Sequence, residues 1–270
     1  MRFPSLLAVV CSVGAWLGAA AAGHAAQPSV YLEDLTWTEV RDAVKTGATT
    51  IIVPVGGTEQ SGPQMAVGKH NVRAKVLAGR IAASLGDTLV APVVAYVPEG
   101  SISPPVGHMR YPGTISIPEA AFKAMLEGAA RSFRQAGFLH VVLIGDHGGY
   151  QTDLRDVAAA LNREWAGTAV RAHFIEAYYK VTQTEYVQAL KAKGLSDAAI
   201  GQHAGAADTS LLMAIDPSMV RTDRLDQPAG AATGISGDPR GSTAALGQLG
   251  VDRIVVETVA AIRKARQEHR

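Results

Sequence analysis

Short apolar runs alternate along this chain with longer stretches whose apolar residues recur every three or four positions. Thr50-Ile-Ile-Val-Pro-Val55, Thr88-Leu-Val-Ala-Pro-Val93, His140-Val-Val-Leu-Ile144 and Ala169–Ile175 read as buried strands, and Thr114–Ile117 as a brief one. Val72, Val76, Leu77, Ile81 and Leu85 sit at helical spacing between Asn71 and a closing Gly86. Thr36-Trp-Thr-Glu39 has the form of a capping box and opens a helix running to Gly47. Pro118 sits in the first turn of a helix ending near Gly137, and another helix covers Thr152–Asn162. Further helices are expected around Thr184–Lys193, Ser196–Gln202 and Asp208–Ala214, with a last one from Ala244 to about Arg266. Apolar strands separated by amphipathic helices predict an α/β fold. The expected form is a three-layer αβα sandwich around a mostly parallel sheet, and no linker divides it. Residues 27–270 are therefore expected to form a single domain.

The segment before that domain reads as an address. Met1-Arg2, an apolar run from Phe3 to Leu17 and the small-residue exit ending in Ala25-Ala26 have the layout of a secretory signal peptide covering residues 1–26. The apolar run falls short of the ~20 residues a membrane-spanning helix needs, which disfavours an uncleaved anchor. Cys11, the one cysteine, lies inside this segment and follows Val9-Val10 rather than the small residues a lipidation site wants. Cleavage would leave a chain without cysteine, suited to an oxidising compartment. The expected product is soluble, exported and periplasmic, with no stable membrane association.

Composition narrows the function classes. The 270 residues are 47% hydrophobic and 18% charged, which excludes a disordered chain. Lys plus Arg is 25 and Asp plus Glu is 24, so the net charge of +1 offers no footprint for nucleic acid. The chain has no His-Glu-x-x-His helix, no Gly-x-Ser-x-Gly elbow and no phosphate loop.

What the loops after the strands do contain is histidine, acid and glycine. They read Gly56-Gly-Thr-Glu-Gln-Ser-Gly-Pro-Gln64, Gly107-His-Met-Arg-Tyr-Pro-Gly-Thr114, Gly145-Asp-His-Gly-Gly149 and His203-Ala-Gly-Ala-Ala-Asp-Thr-Ser210. In an open parallel sheet, ligands bind beyond the carboxyl ends of the strands. Oxygen and nitrogen donors from separate loops suit a divalent ion such as zinc or manganese, and glycines leave room for an open coordination position. His140 and His173 fall within strands and His269 in the tail, where satisfied or solvated side chains are expected.

These strings carry a resemblance. Val53-Pro-Val-Gly-Gly-Thr-Glu-Gln-Ser-Gly-Pro63, His108-x-x-Tyr-Pro-Gly-Thr-Ile-Ser116, Gly145-x-His-Gly-Gly149, His203-Ala-Gly-x-x-Asp-Thr-Ser210 and Gly234-x-Ser-Gly-Asp-Pro239 resemble, in order, five motifs of the creatininase family. The family implies an αβα sandwich, often a homo-oligomer, whose metal centre hydrolyses cyclic amides or related C–N bonds of small molecules. Glu59 occupies the place of the family's first ligand, and His147 that of its strand-end histidine. His70 stands where a bridging Asp is usual, and an imidazole cannot bridge two ions as a carboxylate does. Ser61 and Gly149 replace a histidine and a glutamate that serve the second metal. The resemblance thus implies one cation, zinc or manganese, on Glu59, His70 and His147.

The resemblance also places His203 as the acid/base histidine, with Asp208, in place of the family's Glu, either orienting it or adding an outer ligand. Asp146 is expected to orient an imidazole, and Ser61, His108, Gly148 and Gly149 to line the pocket. The mechanism this implies is hydrolysis by metal-activated hydroxide, with the Gly148-Gly149 backbone stabilising the oxyanion and His203 protonating the leaving nitrogen. Because several family ligands are missing, a catalytically silent exported protein that binds a solute or partner is the alternative. A lactone or formamide hydrolysis on the same scaffold is a third reading.

Overall fold

Four parallel strands form the centre of the computed structural model, which describes residues 29–268. The leader segment, Cys11 and His269 lie outside the described residues. The strands are β1 (Thr50–Val55), β2 (Thr88–Val90), β3 (His140–Gly145) and β4 (Arg171–Phe174), in the spatial order β2-β1-β3-β4. The β1–β3 pairing fixes the register, running from Thr50 opposite His140 to Val55 opposite Gly145. The chain leaves β1 toward β2 on one side and returns to β3 on the other. The order therefore reverses between the two central strands, and a crevice opens at their carboxyl ends.

Alternation along the strands divides the core. Ile51, Val53, Val55, Val141 and Leu143 face one side, where they meet α1 (Trp37–Lys45), α3 (Glu119–Gln135) and α4 (Gln151–Glu164) through Ala43, Phe122, Leu126, Leu154 and Leu161. Ile52, Val90, Val142 and Ile144 face the other. There they pack on α2 (Lys69–Leu85), α5 (Ala177–Gln183), α6 (Glu185–Ala192), α8 (Ala206–Ile215) and α9 (Ala244–Gln267). The expected three layers are present.

The local signals explain most boundaries. The Thr36 side chain accepts from the Glu39 N–H and the Glu39 carboxylate accepts from Thr36 N–H, so α1 opens on a complete capping box. Helix α2 ends at Gly86, whose φ of 84° is the left-handed closing conformation. Four elements differ from expectation. Strand β2 stops at Val90 because Pro92 has no N–H for a ladder, although the chain rejoins when Val94 N–H donates to the Pro54 carbonyl at 3.0 Å. Thr114–Ile117 is not a strand, and only Ser116 makes an isolated bridge, to Val97. Helix α5 was not expected. It follows β4 directly and buries Tyr178 and Val181. A short helix α7 (Asp197–Ile200) is shorter than the expected Ser196–Gln202. No helix among the described residues is long and apolar enough to cross a membrane.

Candidate functional site

The loop leaving β1 and the loop leaving β3 meet in the crevice. Glu59, four residues beyond β1, is fully buried, with its N–H held by the Val67 carbonyl at 3.1 Å. Its Oε1 accepts from His70 Nε2 at 2.8 Å and lies 3.5 Å from Lys69 Nζ. Its Oε2 has no hydrogen-bond partner. That oxygen is faced by His108 Nε2 at 3.4 Å and by His147 Nε2 at 3.6 Å. Burial opposes ionisation of Glu59, but the Lys69 ammonium and the imidazole of His70 overcome it and hold the carboxyl far below its ordinary range.

Beneath Glu59 lies a buried network of charge. His70, Lys69 and Arg73 all project from the first turns of α2. His70 Nδ1 is 2.5 Å from Asp146 Oδ1. The same carboxylate accepts from Arg73 Nε at 2.9 Å and from the Tyr178 hydroxyl at 2.8 Å. Arg73 Nη1 donates to Asp208 Oδ1 at 2.8 Å, while Asp208 Oδ2 takes Lys69 Nζ at 3.2 Å and the Ala204 N–H at 3.0 Å. Although burial disfavours their charge, Arg73 beside Asp146 and Lys69 with Arg73 beside Asp208 keep both acids ionised. Ordinarily, buried charges persist only when paired and hydrogen-bonded, and these are.

The opposite wall carries His108 and His203, whose ring centroids are 4.3 Å apart. The Gln60 carboxamide nitrogen touches both, at 2.8 Å from His108 Nδ1 and 3.1 Å from His203 Nε2. His203 Nδ1 is 3.7 Å from Glu59 Oε1. Its backbone is pinned by an antiparallel bridge to Ser236, and the next residue, Ala204, has a φ of 56°, a conformation costly for a residue with a Cβ. Burial lowers the pKa of His203 to about 3 and that of His147 to about 4, so both rings are neutral at neutral pH. A cleft of about 300 Å³ opens over Glu59, His108, His147, His203 and Tyr179.

A divalent cation fits this donor set. Glu59, His108 and His147 each offer one ligand atom, and these atoms lie within 4.8 Å of one another. The buried, partnerless Glu59 Oε2 at their centre is an oxygen in need of a positive charge. No other such cluster occurs among the described residues.

The expected residues are thus gathered but regrouped. Glu59 and His147 converge as expected, and His108, expected only to line the pocket, joins them. His70 sits behind Glu59 with each ring nitrogen against a carboxylate oxygen, and it is not in the cluster of ligand atoms. Asp146 orients His70, and Gly148 lines the cleft. The Gly149 N–H donates to His147 Nδ1 at 3.2 Å. A Cβ on Gly149 would lie 3.0 Å from His147 Cε1, so a glutamate there would press on the ring and shift it. The Ser61 hydroxyl is buried without a partner.

Sequence reasoning missed Lys69, Arg73 and Glu99. Lys69 and Arg73 continue, at four-residue spacing, the buried stripe of Leu77 and Ile81, which marks them as inward-facing. Glu99 is the one acid between Ala91 and Pro118, in a loop otherwise made of apolar, Gly and Pro residues with few polar ones. Its side chain is fully buried, 3.8 Å from His147 Nδ1, with neither oxygen hydrogen-bonded. Burial, reinforced by the neighbouring Glu59, raises this carboxyl to about 8.

A parallel αβα scaffold with a Glu/His cluster at its switch point defines a class of metal-site α/β proteins. A family model described as creatininase, creatinine amidohydrolase, matches residues 33–262. The chain belongs to the creatininase family. A mycofactocin precursor peptide peptidase of Mycolicibacterium smegmatis is 30% identical over 232 residues, which cover 77% of this chain and 81% of that protein. A creatinine amidohydrolase of Pseudomonas putida is 27% identical over 206 residues, covering 74% and 77%. Among solved structures, a manganese creatininase superposes with a TM-score of 0.72 at 23% identity, and a mutant creatininase of zinc–zinc type with 0.73 at 24%. Each alignment covers 88% of this chain and 98% of the other. These likenesses establish the fold.

Proposed function

We propose that this chain is a metal-dependent hydrolase that cleaves a C–N bond of an amide or cyclic amide in a small molecule. The observation that carries this reading is Glu59 Oε2, a buried oxygen without a partner, facing one nitrogen each of His108 and His147. Both relatives are named for activities on amide bonds, one in a peptide and one in creatinine.

Glu59, His108 and His147 would hold one zinc or manganese ion. Such an ion supplies a Lewis acid that polarises a carbonyl and acidifies water. The neutral His203, beside Glu59 at the cleft wall, would first accept the proton given up by the attacking water and then pass it to the leaving nitrogen. Asp208 spends both oxygens on Lys69, Arg73 and the Ala204 N–H, so its part is to fix the loop that carries His203. A second cation is disfavoured because Lys69 and Arg73 already supply the positive charge around Glu59, Asp146 and Asp208.

Residues 1–26 are proposed to direct export to the periplasm and to be removed there, with 27–270 acting as one domain. Recognition of a small-molecule substrate and homo-oligomer formation are proposed from the family. The test is elemental analysis of the purified mature protein followed by an amide-hydrolase screen. One equivalent of zinc or manganese with turnover supports the reading. Ligand-dependent thermal stabilisation without any product supports the silent binder instead.

A further inference from the structure

His147 presents its two nitrogens to two acidic side chains. Nε2 faces Glu59 Oε2 at 3.6 Å, and Nδ1 faces Glu99 Oε1 at 3.8 Å. Nδ1 accepts the Gly149 N–H at 3.2 Å in this structure. A neutral ring that accepts at Nδ1 carries its proton on Nε2 and has no lone pair there for a cation. Cation binding through Nε2 therefore requires the proton on Nδ1, and a proton on Nδ1 requires an acceptor. Gly149 N–H is a donor and cannot serve.

The surroundings of Glu99 provide that acceptor. Its N–H donates to Ser116 Oγ at 3.0 Å, and Ser116 Oγ donates in turn to the Gly100 carbonyl at 2.8 Å, so the backbone is fixed on both sides. The carboxylate lies over Gly57, whose φ is 139°, and a Cβ there would come within 2.8 Å of Glu99 Oε1. Gly57 thus serves two needs: a backbone conformation that L side chains rarely adopt, and the space the carboxylate occupies. Neither Glu99 oxygen has another partner, and closing about 1 Å would bring Oε1 into hydrogen-bond range of Nδ1. Glu99 is not among the ligand atoms that converge around Glu59 Oε2, and it faces the other ring nitrogen, Nδ1.

We propose that Glu99 is a positioning residue that accepts the Nδ1–H of His147 and so fixes the tautomer whose Nε2 is free to hold the cation. Carboxylate–imidazole–metal arrays of this kind orient the ring and raise its basicity as a ligand. The ring releases its Nε2 proton to solvent and takes one from solvent at Nδ1, so its net charge does not change. This inference rests on the assignment of His147 as a ligand.

The test measures zinc affinity by chelator competition in the full mature protein and in Glu99→Leu and Glu99→Gln variants. Glu99→Leu is expected to weaken zinc binding roughly 10- to 100-fold. Glu99→Gln, whose carboxamide oxygen still accepts an N–H, should lie between it and the wild type. Imidazole ¹⁵N NMR of the zinc-loaded wild type should show His147 protonated at Nδ1, with that signal lost or exchange-broadened in Glu99→Leu. Glu99→Leu should fold at least as stably as the wild type without metal, because it removes two partnerless buried oxygens. Wild-type zinc affinity in a folded Glu99→Leu overturns the inference. If the wild type binds zinc and His147→Ala binds it equally well, the ligand assignment itself is wrong, and this inference falls with it.

Discussion

Lys69 Nζ lies 3.5 Å from Glu59 Oε1, and both side chains are almost wholly shut off from solvent. The ammonium also reaches Asp208 Oδ2, so one buried cation serves two acids contributed by different loops. Removing one partner from a buried charge cluster strands the others in a low dielectric. Lys69→Met is therefore expected to destabilise the metal-free protein by about 3–5 kcal/mol, read by urea unfolding at neutral pH in chelator. Zinc should restore part of that loss, because it brings positive charge back to Glu59. An unchanged unfolding midpoint would show that Lys69 contributes nothing to holding the acids.

The four imidazoles around Glu59 fall into two groups by metal content. His108→Ala and His147→Ala should each abolish stoichiometric zinc binding and turnover together. His70→Ala should keep the ion but lower stability, since it removes the bond to Glu59 and leaves Asp146 with one fewer donor. His203→Ala should keep the ion and lose turnover alone. Elemental analysis, a turnover assay and urea unfolding of the four purified variants check these outcomes. Full zinc in His108→Ala with none in His70→Ala would return the site to the grouping expected from sequence.

Stability of the metal-free protein should pass through a maximum near pH 6.5. His147 and His203 have pKa values in the fold of about 4 and about 3, below the ordinary value of 6.5. Between those limits the unfolded chain binds more protons, so stability falls as the pH drops below 6.5. Glu99 is shifted the opposite way, to about 8 from 4.5. Over that window the folded state holds a proton that the unfolded state has lost, and stability declines as pH rises. Each group contributes up to about 1.4 kcal/mol per pH unit. From 4.5 to 6.5 the two histidines outweigh the one carboxyl, and above 6.5 only Glu99 acts. Urea unfolding across pH 4–9 in chelator checks the curve, and Glu99→Leu should flatten its alkaline limb.

Gly247 lies in α9, where alanine would ordinarily be favoured by about 1 kcal/mol. A Cβ at this position would come within 1.8 Å of the Ser210 carbonyl oxygen on α8. The clash is with backbone, which cannot turn aside as a side chain can. Gly247→Ala is expected to reverse the usual sign and destabilise by about 1–3 kcal/mol, measured by thermal or urea unfolding.

The sequence made the layers legible because the strands are continuous apolar runs and the helices keep a clean period. Thr36 with Glu39, and Gly86, marked helix ends through side-chain and backbone chemistry that acts over a few residues. Helix α5 escaped because Ala177–Gln183 is short and its buried residues, Tyr178 and Val181, are too few to establish a period. At the site, the approach of Glu59, His147 and His203 to one crevice was legible from loop position and resemblance. The convergence of His108, rather than His70, with Glu59 and His147 was not. It depends on where the Gly107–Arg110 turn folds back over the crevice, and on Asp146 having already claimed one nitrogen of His70. Glu99 was overlooked for the same kind of reason, since nothing local to the loop reveals that Gly57 leaves it a berth.

Arg73 joins Asp146, on the loop after β3, to Asp208, on α8, through one rigid guanidinium. The two walls of the cleft are consequently cross-braced from within, at a separation set before any guest arrives. A slot braced in this way would select by its fixed shape rather than by closing around its contents. Compounds of the wrong width should be refused at the entrance, and variants with altered preference are best sought among residues of the rim.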